Sequence, residues 1–443
     1  MKDLVKNSVL KFKQEIYDAQ DYIWANAETG YKEVKTSKYM AEIFEKLGYK
    51  LNYAENIPGF YTVIDTGREG PEVLILAELD SLINFSHPDC NKVTGAVHCC
   101  GHSAQCSAMV GIAGALTNPE ILDKLSGRIR LCLVPAEELI EIEYRKELVK
   151  KGVISYLGGK AEFLSRGYFD GCDIAFLVHT STNTVFGANK GGVGCLAKQI
   201  EYKGVSAHAG GTPWLGVNAL YAATQGLSAI NAIRETFKEP DVIRVHPIIT
   251  KGGGAVNAIP DSVTIESYVR GSSFDAIYNA NKKVNRALVG AALSLGANVE
   301  INDIPGYAPY INNEDLLSVY ENAVKTHGYE FNNTHVISSG STDMGDLSCV
   351  MMGIHPNAPG AIGVSHGDGY YIKDKDLACV GSAIVQVQTL CDLLKDGATR
   401  AKQMLKNFTP MFKSKEDYLD YISSFNCEGD RITYNGDKAE VKL

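Results

Sequence analysis

Positive charge is scarce in this chain: 43 lysines and arginines stand against 52 aspartates and glutamates, for a net charge of −9. Nucleic acid and anionic membrane both call for a basic surface, so neither is expected as a partner. Long hydrophobic runs are missing as well, with none near the roughly 20 residues that cross a bilayer. The opening MKDLVKNSVLKFKQEIYDAQDYIW has acids within an amphipathic pattern and lacks the apolar stretch and cleavage site of a signal peptide. These two absences predict a cytoplasmic protein. A disulfide framework is not expected either, because the 11 cysteines are odd in number and scattered through apolar segments such as RIRLCLV and GYFDGCDIAFLV. Internal repeats and low-complexity tracts are absent too.

What is present is an ordinary globular composition, 45% hydrophobic and 21% charged. At 443 residues it is too long for one comfortable core, so two domains are expected. Two amphipathic helices are predicted at residues 4–24 and 34–47. PEVLILAELD, RIRLCLVPAEE and CDIAFLVHT then read as buried strands alternating with helical patterns, the signature of a mostly parallel α/β sheet with helices on both faces. Polar residues gather at the ends of these strands: Asp80, then Glu137 with Glu138, then His179. Ligands bind outside the carboxyl ends of strands in such sheets.

From Gly191 the pattern becomes β-α-β-β-α-β, a ferredoxin-like α+β unit. The predicted organisation is a catalytic domain in two parts, 1–190 and 303–400, with an inserted dimerisation domain at 191–302. Residues 401–443 form a C-terminal tail with no assigned role.

The chemistry-bearing residues are few. HCCGHS places Cys100 and His102 two residues apart, where a thiolate and an imidazole can share one cation. Gly101 between them permits a tight backbone. VPAEE places two adjacent carboxylates just past a sheet interior, so that one can bind metal while the other moves a proton. His179 ends a strand, and His366 lies in the glycine-flanked GVSHGDG. His87, His246, His327, His335 and His355 have no such setting and read as structural.

These segments resemble the M20 metallopeptidases, and among them the amidohydrolase branch that includes bacterial aminoacylases. HCCGHS is similar to the branch's H-x-C-G-H-[DN] loop, VPAEE to its P-A-E-E segment, and LVHT and GVSHGDG to its later histidine ligands. KGVSAHAGGTPWLGVNAL and GGGAVNAIPDSVTIESYVRG are similar to two further runs of the family. GSTDMGDLS followed by HP is closest to the sub-branch of aminobenzoyl-glutamate and acyl- or β-alanyl-dipeptide hydrolases. The similarity runs in order from about residue 10 to about residue 395.

The resemblance implies Cys100, His102, Glu138, His179 and His366 as ligands of one or two divalent ions, with zinc, manganese, cobalt and nickel as the options. It implies Glu137 as general base and Asp80 as the residue orienting a ligand. His208 is expected to reach across a homodimer interface to the oxyanion, and Asn257 and Arg270 to hold a substrate carboxylate. The expected activity is metal-dependent hydrolysis of the amide bond in small N-acyl amino acids or dipeptides with a free carboxylate. Four departures accompany it: Ser103 for Asp or Asn, Gln105 for His, a longer loop over 81–97, and an inserted stretch over 139–159. The rival readings are a non-catalytic binding or scaffold protein on a degenerate metallohydrolase fold, and a thiol enzyme using Cys99 or Cys100.

Overall fold

The computed structural model describes residues 1–443. Its larger sheet has six strands in the order Asn52–Tyr53, Phe60–Asp65, Arg128–Val134, Glu72–Glu78, Ile174–Phe176 and Met352–Ile354. The last four are mutually parallel, and the two at the other edge are antiparallel. Every residue of Glu72–Glu78 is buried, as expected of a central parallel strand covered on both faces. One face carries the largest apolar core, and a second core containing Leu74, Leu76, Val134 and Phe163 covers the other.

The helix His102–Ala115 is buried all round, which its run of small residues allows. That packing corrects the first predicted helix. The expected single helix over 4–24 is two, Lys2–Leu10 and Lys13–Ala25, broken at Phe12. The Phe12 ring, half-buried, lies against Gly114, where a Cβ would overlap it, and the helix breaks at this contact.

The second sheet is antiparallel, with Ser262–Gly271 and Gly194–Lys203 at its centre and Asn298–Tyr307 at one edge. Arg244–Val245 and Ile248–Lys251 share the other edge, separated at Pro247, which supplies no ladder donor. Helices Ala219–Ala232 and Phe274–Ser294 pack on one face to give a separate apolar core. This is the ferredoxin-like order, and with the first sheet it makes the predicted α/β class.

Residue 400 falls inside the helical segment Ser382–Asn407, just past a kink at Lys395–Ala398 where the backbone leaves helical geometry. With the turn before it, this segment forms the one helix long and apolar enough to cross a membrane, and most of its apolar stretch is buried in the protein. Beyond it, Lys415–Ser423 packs Tyr418 and Ile422 into the core of the first domain. The chain then crosses to the second sheet, where Asp303 and Cys427 exchange backbone hydrogen bonds of 2.7 and 3.1 Å along the edge strand. Ile432 joins the small core at 2% exposure, and the Arg431 guanidinium donates to the Ile301 carbonyl at 2.8 Å. The tail thus ties the two sheets together. Replacing Ile432 by alanine is expected to cost about 2 kcal/mol or more in urea unfolding. A change within error would show that the tail contributes nothing to the small core.

Candidate metal centre and active cleft

The site lies beyond the carboxyl ends of the parallel strands, and each element brings one group. Gly101 opens the buried helix in a left-handed conformation with φ 98°, and a Cβ there would overlap the Tyr370 hydroxyl. Glycine is therefore required between Cys100 and His102. Ala136 is left-handed too, with φ 58°. This costly turn is tied at both ends: its N–H donates to Glu33 Oε1 at 2.8 Å, and its carbonyl accepts from Gly159 N at 3.1 Å. The turn lets Glu137 and Glu138 diverge. Glu137 Oε2 lies 3.9 Å from His102 Nε2, whereas Glu138 Oε1 lies 3.7 Å from His366 Nε2.

Cys100 Sγ stands 3.4 Å from His179 Nε2, and the other nitrogen of that ring faces the Thr180 carbonyl at 2.7 Å. That contact fixes the tautomer, leaving Nε2 free to coordinate. Asp80 accepts from Glu138 N at 2.8 Å and sits 3.3 Å from His102 Nδ1. One carboxylate thus orients two neighbours. Donor atoms of Cys100, His102 and His179 fall within 4.8 Å of one another, and so do those of Cys100, Glu138 and His366. Cys100 belongs to both groups.

The site fits divalent cations on its own chemistry. His102 Nε2 and Glu138 Oε1 are enclosed and lack hydrogen-bond partners, a costly state that a cation relieves. Burial first, and then Glu138, push the Cys100 thiol well above its usual range, and they outweigh His102, which favours the thiolate. Thiolate, imidazole and carboxylate together are the donor set of a transition-metal site.

Sequence reading missed the groups that hold this centre. The 139–159 stretch forms the helix Ile142–Lys150, whose Arg145 is 1% exposed and donates to the carbonyls of Glu138 and Leu157. It therefore braces the acid pair from behind. In the 81–97 loop, Asn84 donates to the His366 carbonyl at 3.1 Å, and His366 N donates to the Cys99 carbonyl at 2.8 Å. These bonds hold His366 left-handed at φ 66°. Gln105 bonds Glu78 at 2.8 Å. Lys160, fully buried, pairs with Glu78 at 2.5 Å and with Asp343. Burial opposes charge on Glu78, but Lys160 and then His102 outweigh it and hold the carboxyl below the usual range.

Asp346, in the same STDMGD segment as Asp343, accepts from Ala308 N at 2.9 Å and from the Tyr418 hydroxyl. Burial, and then Asp343, raise its pKa to about 8. The stability from this proton is complete below the unfolded value of about 4 and is lost as pH rises through the folded one. Asp346→Asn should therefore gain stability relative to the parent between about pH 5 and about pH 9 in denaturant titrations. Parallel stability curves would contradict that protonation state.

The cleft beside the metal groups has a volume of about 400 Å³. Arg270, Tyr268 and His246 line it from the second sheet, and His355, Tyr310 and Asn357 from the first domain. His246 and His355, read as structural in the sequence, are thus in its walls. His208 and Asn257 are not. They sit side by side on two exposed loops, where Ala209 N donates to the Asn257 carbonyl and His208 bridges to Ala258. Within one chain, then, Asn257 does not meet Arg270 in the cleft. Cys99 is buried and joins neither metal grouping.

Residues 75–388 match the family model described as Peptidase family M20/M25/M40. The Xaa-Arg dipeptidase of Mus musculus is 32% identical over 267 residues, covering 58% of this chain and 57% of that protein. The chain thus spans little more than half of that relative's length. A homolog of a p-aminobenzoyl-glutamate hydrolase subunit, from Haemophilus influenzae, is 26% identical over 289 residues, covering 61% of this chain and 62% of its own. Among solved structures, a Bacillus subtilis protein described as a dinuclear metal binding peptidase superposes with a TM-score of 0.63 at 20% identity, covering 87% of this chain and 99% of that one. At that identity the likeness is one of fold.

Proposed function

Because the chain belongs to peptidase family M20/M25/M40, we propose that it is a metal-dependent amidohydrolase that cleaves N-acyl amino acids or dipeptides bearing a free carboxylate. The observation that carries this reading is the convergence of Cys100, Glu138, His179 and His366 with Glu137 on one cleft. The chain's similarity to a dipeptidase and to a homolog of an aminobenzoyl-glutamate hydrolase supports the bond and substrate class.

In this reading Cys100, His102, Glu138, His179 and His366 would hold one or two divalent ions, with zinc, manganese, cobalt and nickel as candidates, and Cys100 is the residue common to the two ligand groups that contain it. Such ions supply Lewis acidity for a water and an amide carbonyl at neutral pH. Glu137 takes the proton of the attacking water and hands it to the departing nitrogen. Burial, then Glu78 and Glu138, raise its pKa and favour that uptake. Asp80 keeps His102 and the Glu138 backbone in register.

Arg270 binds the substrate carboxylate. Its Nε is enclosed and without a hydrogen-bond partner in the cleft wall. The test compares N-acyl amino acids with their C-terminal amides. The acids should be preferred by about 2–5 kcal/mol in kcat/KM, the cost of stranding a buried charge. Arg270→Ala should erase most of that gap. Equal treatment of acid and amide would remove the carboxylate requirement while leaving the hydrolase.

The same reading includes a homodimer in which His208 and Asn257 serve the partner's cleft. Trp214, Leu215, Tyr221 and Val256 are exposed on the elements around them, an apolar surface suited to a second copy. An inactive His208→Ala chain mixed with an inactive Glu137→Gln chain should then regain activity, since one of the two sites keeps both residues. No recovery after demonstrated exchange of chains would sink the shared site.

A further inference from the structure

The wall that the first domain gives to the cleft contains groups with no part in metal binding or carboxylate capture. His355 follows the strand Met352–Ile354 and is 8% exposed. Its backbone N–H is pinned to Asn312 Oδ1 at 2.6 Å. Its ring stands 5.7 Å from the rings of His179 and Tyr310. Its Nε2 is enclosed and makes no hydrogen bond, and the Ser341 hydroxyl in the same wall is also unpartnered. Asn357, paired in register with His179, completes this polar face.

The charge inventory of the cleft narrows what this wall can bind. Arg270 is its sole guanidinium or ammonium, and Glu137 and Glu138 are its sole carboxylates. An anionic group at this wall would find no guanidinium or ammonium besides Arg270, and an ammonium would find no carboxylate free of the metal centre. A plain alkyl group would seal His355 Nε2 and the Ser341 hydroxyl away from any partner, which a polar site resists.

We propose that His355, with Ser341 and Asn357, forms a subsite for an uncharged, hydrogen-bonding acyl group, so that the preferred substrates carry a hydroxyl or carboxamide on the acyl side of the scissile bond. This rests on the reading above, in which Arg270 takes the carboxylate of the other half of the substrate.

The experiment uses the metal-loaded full chain and isosteric acyl pairs on one amino acid: lactoyl against isobutyryl, and succinamoyl against isohexanoyl, with succinyl and β-alanyl as charged comparisons. The polar neutral member of each pair should lead in kcat/KM by at least about tenfold, because a site built to hydrogen-bond a substrate group rejects its apolar isostere. His355→Phe should shrink that ratio, and His355→Asn should restore part of it. Equal rates within each pair, a lead for the alkyl or charged members, or a ratio untouched by His355→Phe would overturn the subsite. The wild-type ratios decide even where a variant does not fold. Cleavage with no acyl preference leaves the amidohydrolase standing. No cleavage of any member sinks the amidohydrolase reading and the subsite together.

Discussion

Replacing Glu137 by glutamine is expected to lower kcat by about 10²–10⁴-fold, the usual cost of losing a general base. The substitution is nearly isosteric and leaves the backbone contacts of the turn intact, including the Tyr307 hydroxyl on the Glu137 carbonyl. What it removes is a buried oxygen that can accept a proton, 3.9 Å from His102 Nε2. A carboxamide in the same place accepts a hydrogen bond but cannot take up the proton. Metal content should stay near the parent level: Glu137 groups with Glu78 and His102 but not with Cys100, and glutamine keeps an oxygen donor in its place. Glu138→Ala should behave differently and lose metal, since its carboxylate belongs with Cys100 and His366. If Glu137→Gln kept most of its turnover under saturating metal, the proton would have another carrier.

Lys160→Met should be the most damaging single change to stability. The ammonium is fully buried between Glu78 and Asp343, and its backbone N–H also donates to Asp343 at 2.9 Å. Methionine keeps the length but leaves two carboxylates enclosed without a countercharge, and breaking a buried pair this way costs about 3–5 kcal/mol. The deficit has a pH signature. In the parent, Lys160 holds Glu78 ionised, so that contribution is present above the unfolded carboxylate value and is lost on acidification through the folded one. Without Lys160 the carboxyls of Glu78 and Asp343 are best accommodated protonated. The gap between variant and parent in urea unfolding should therefore narrow as pH falls toward about 4 and widen above it. A loss under about 1 kcal/mol, the worth of an ordinary hydrogen bond, would mean that the cluster is reached by water.

The α/β class and the ferredoxin-like insertion were legible in the sequence because burial writes itself into periodicity. A continuous apolar run such as VLILA is a strand covered on both faces, and the residue that ends it is delivered to the crevice. That rule places Asp80, the acid pair and His179. Applied once more it would have placed His355, since MMGIHP ends a strand parallel to Ile174–Phe176. The histidine was passed over because it directly precedes a proline and was read as structural. Lys160, Arg145 and Glu33 were illegible for a different reason. No local pattern distinguishes a charged side chain that folds inward to a counterion from one that stays in water; the partner lies far along the chain, as Asp343 does from Lys160. The break at Phe12 was hidden likewise, because Gly114, more than 100 residues away, sets it.

The central claim is that hydrolysis runs through cations held at Cys100, and metal removal tests it most directly. The purified chain is stripped with a chelator, its metal content measured, and its rate on an N-acyl amino acid recorded before and after divalent ions are restored. The account predicts that activity disappears with the metal and returns with it, and that Cys100→Ser needs far more metal for the same recovery, because the thiolate belongs to two of the three ligand groupings. Full hydrolysis by a chain shown to be free of metal would contradict it.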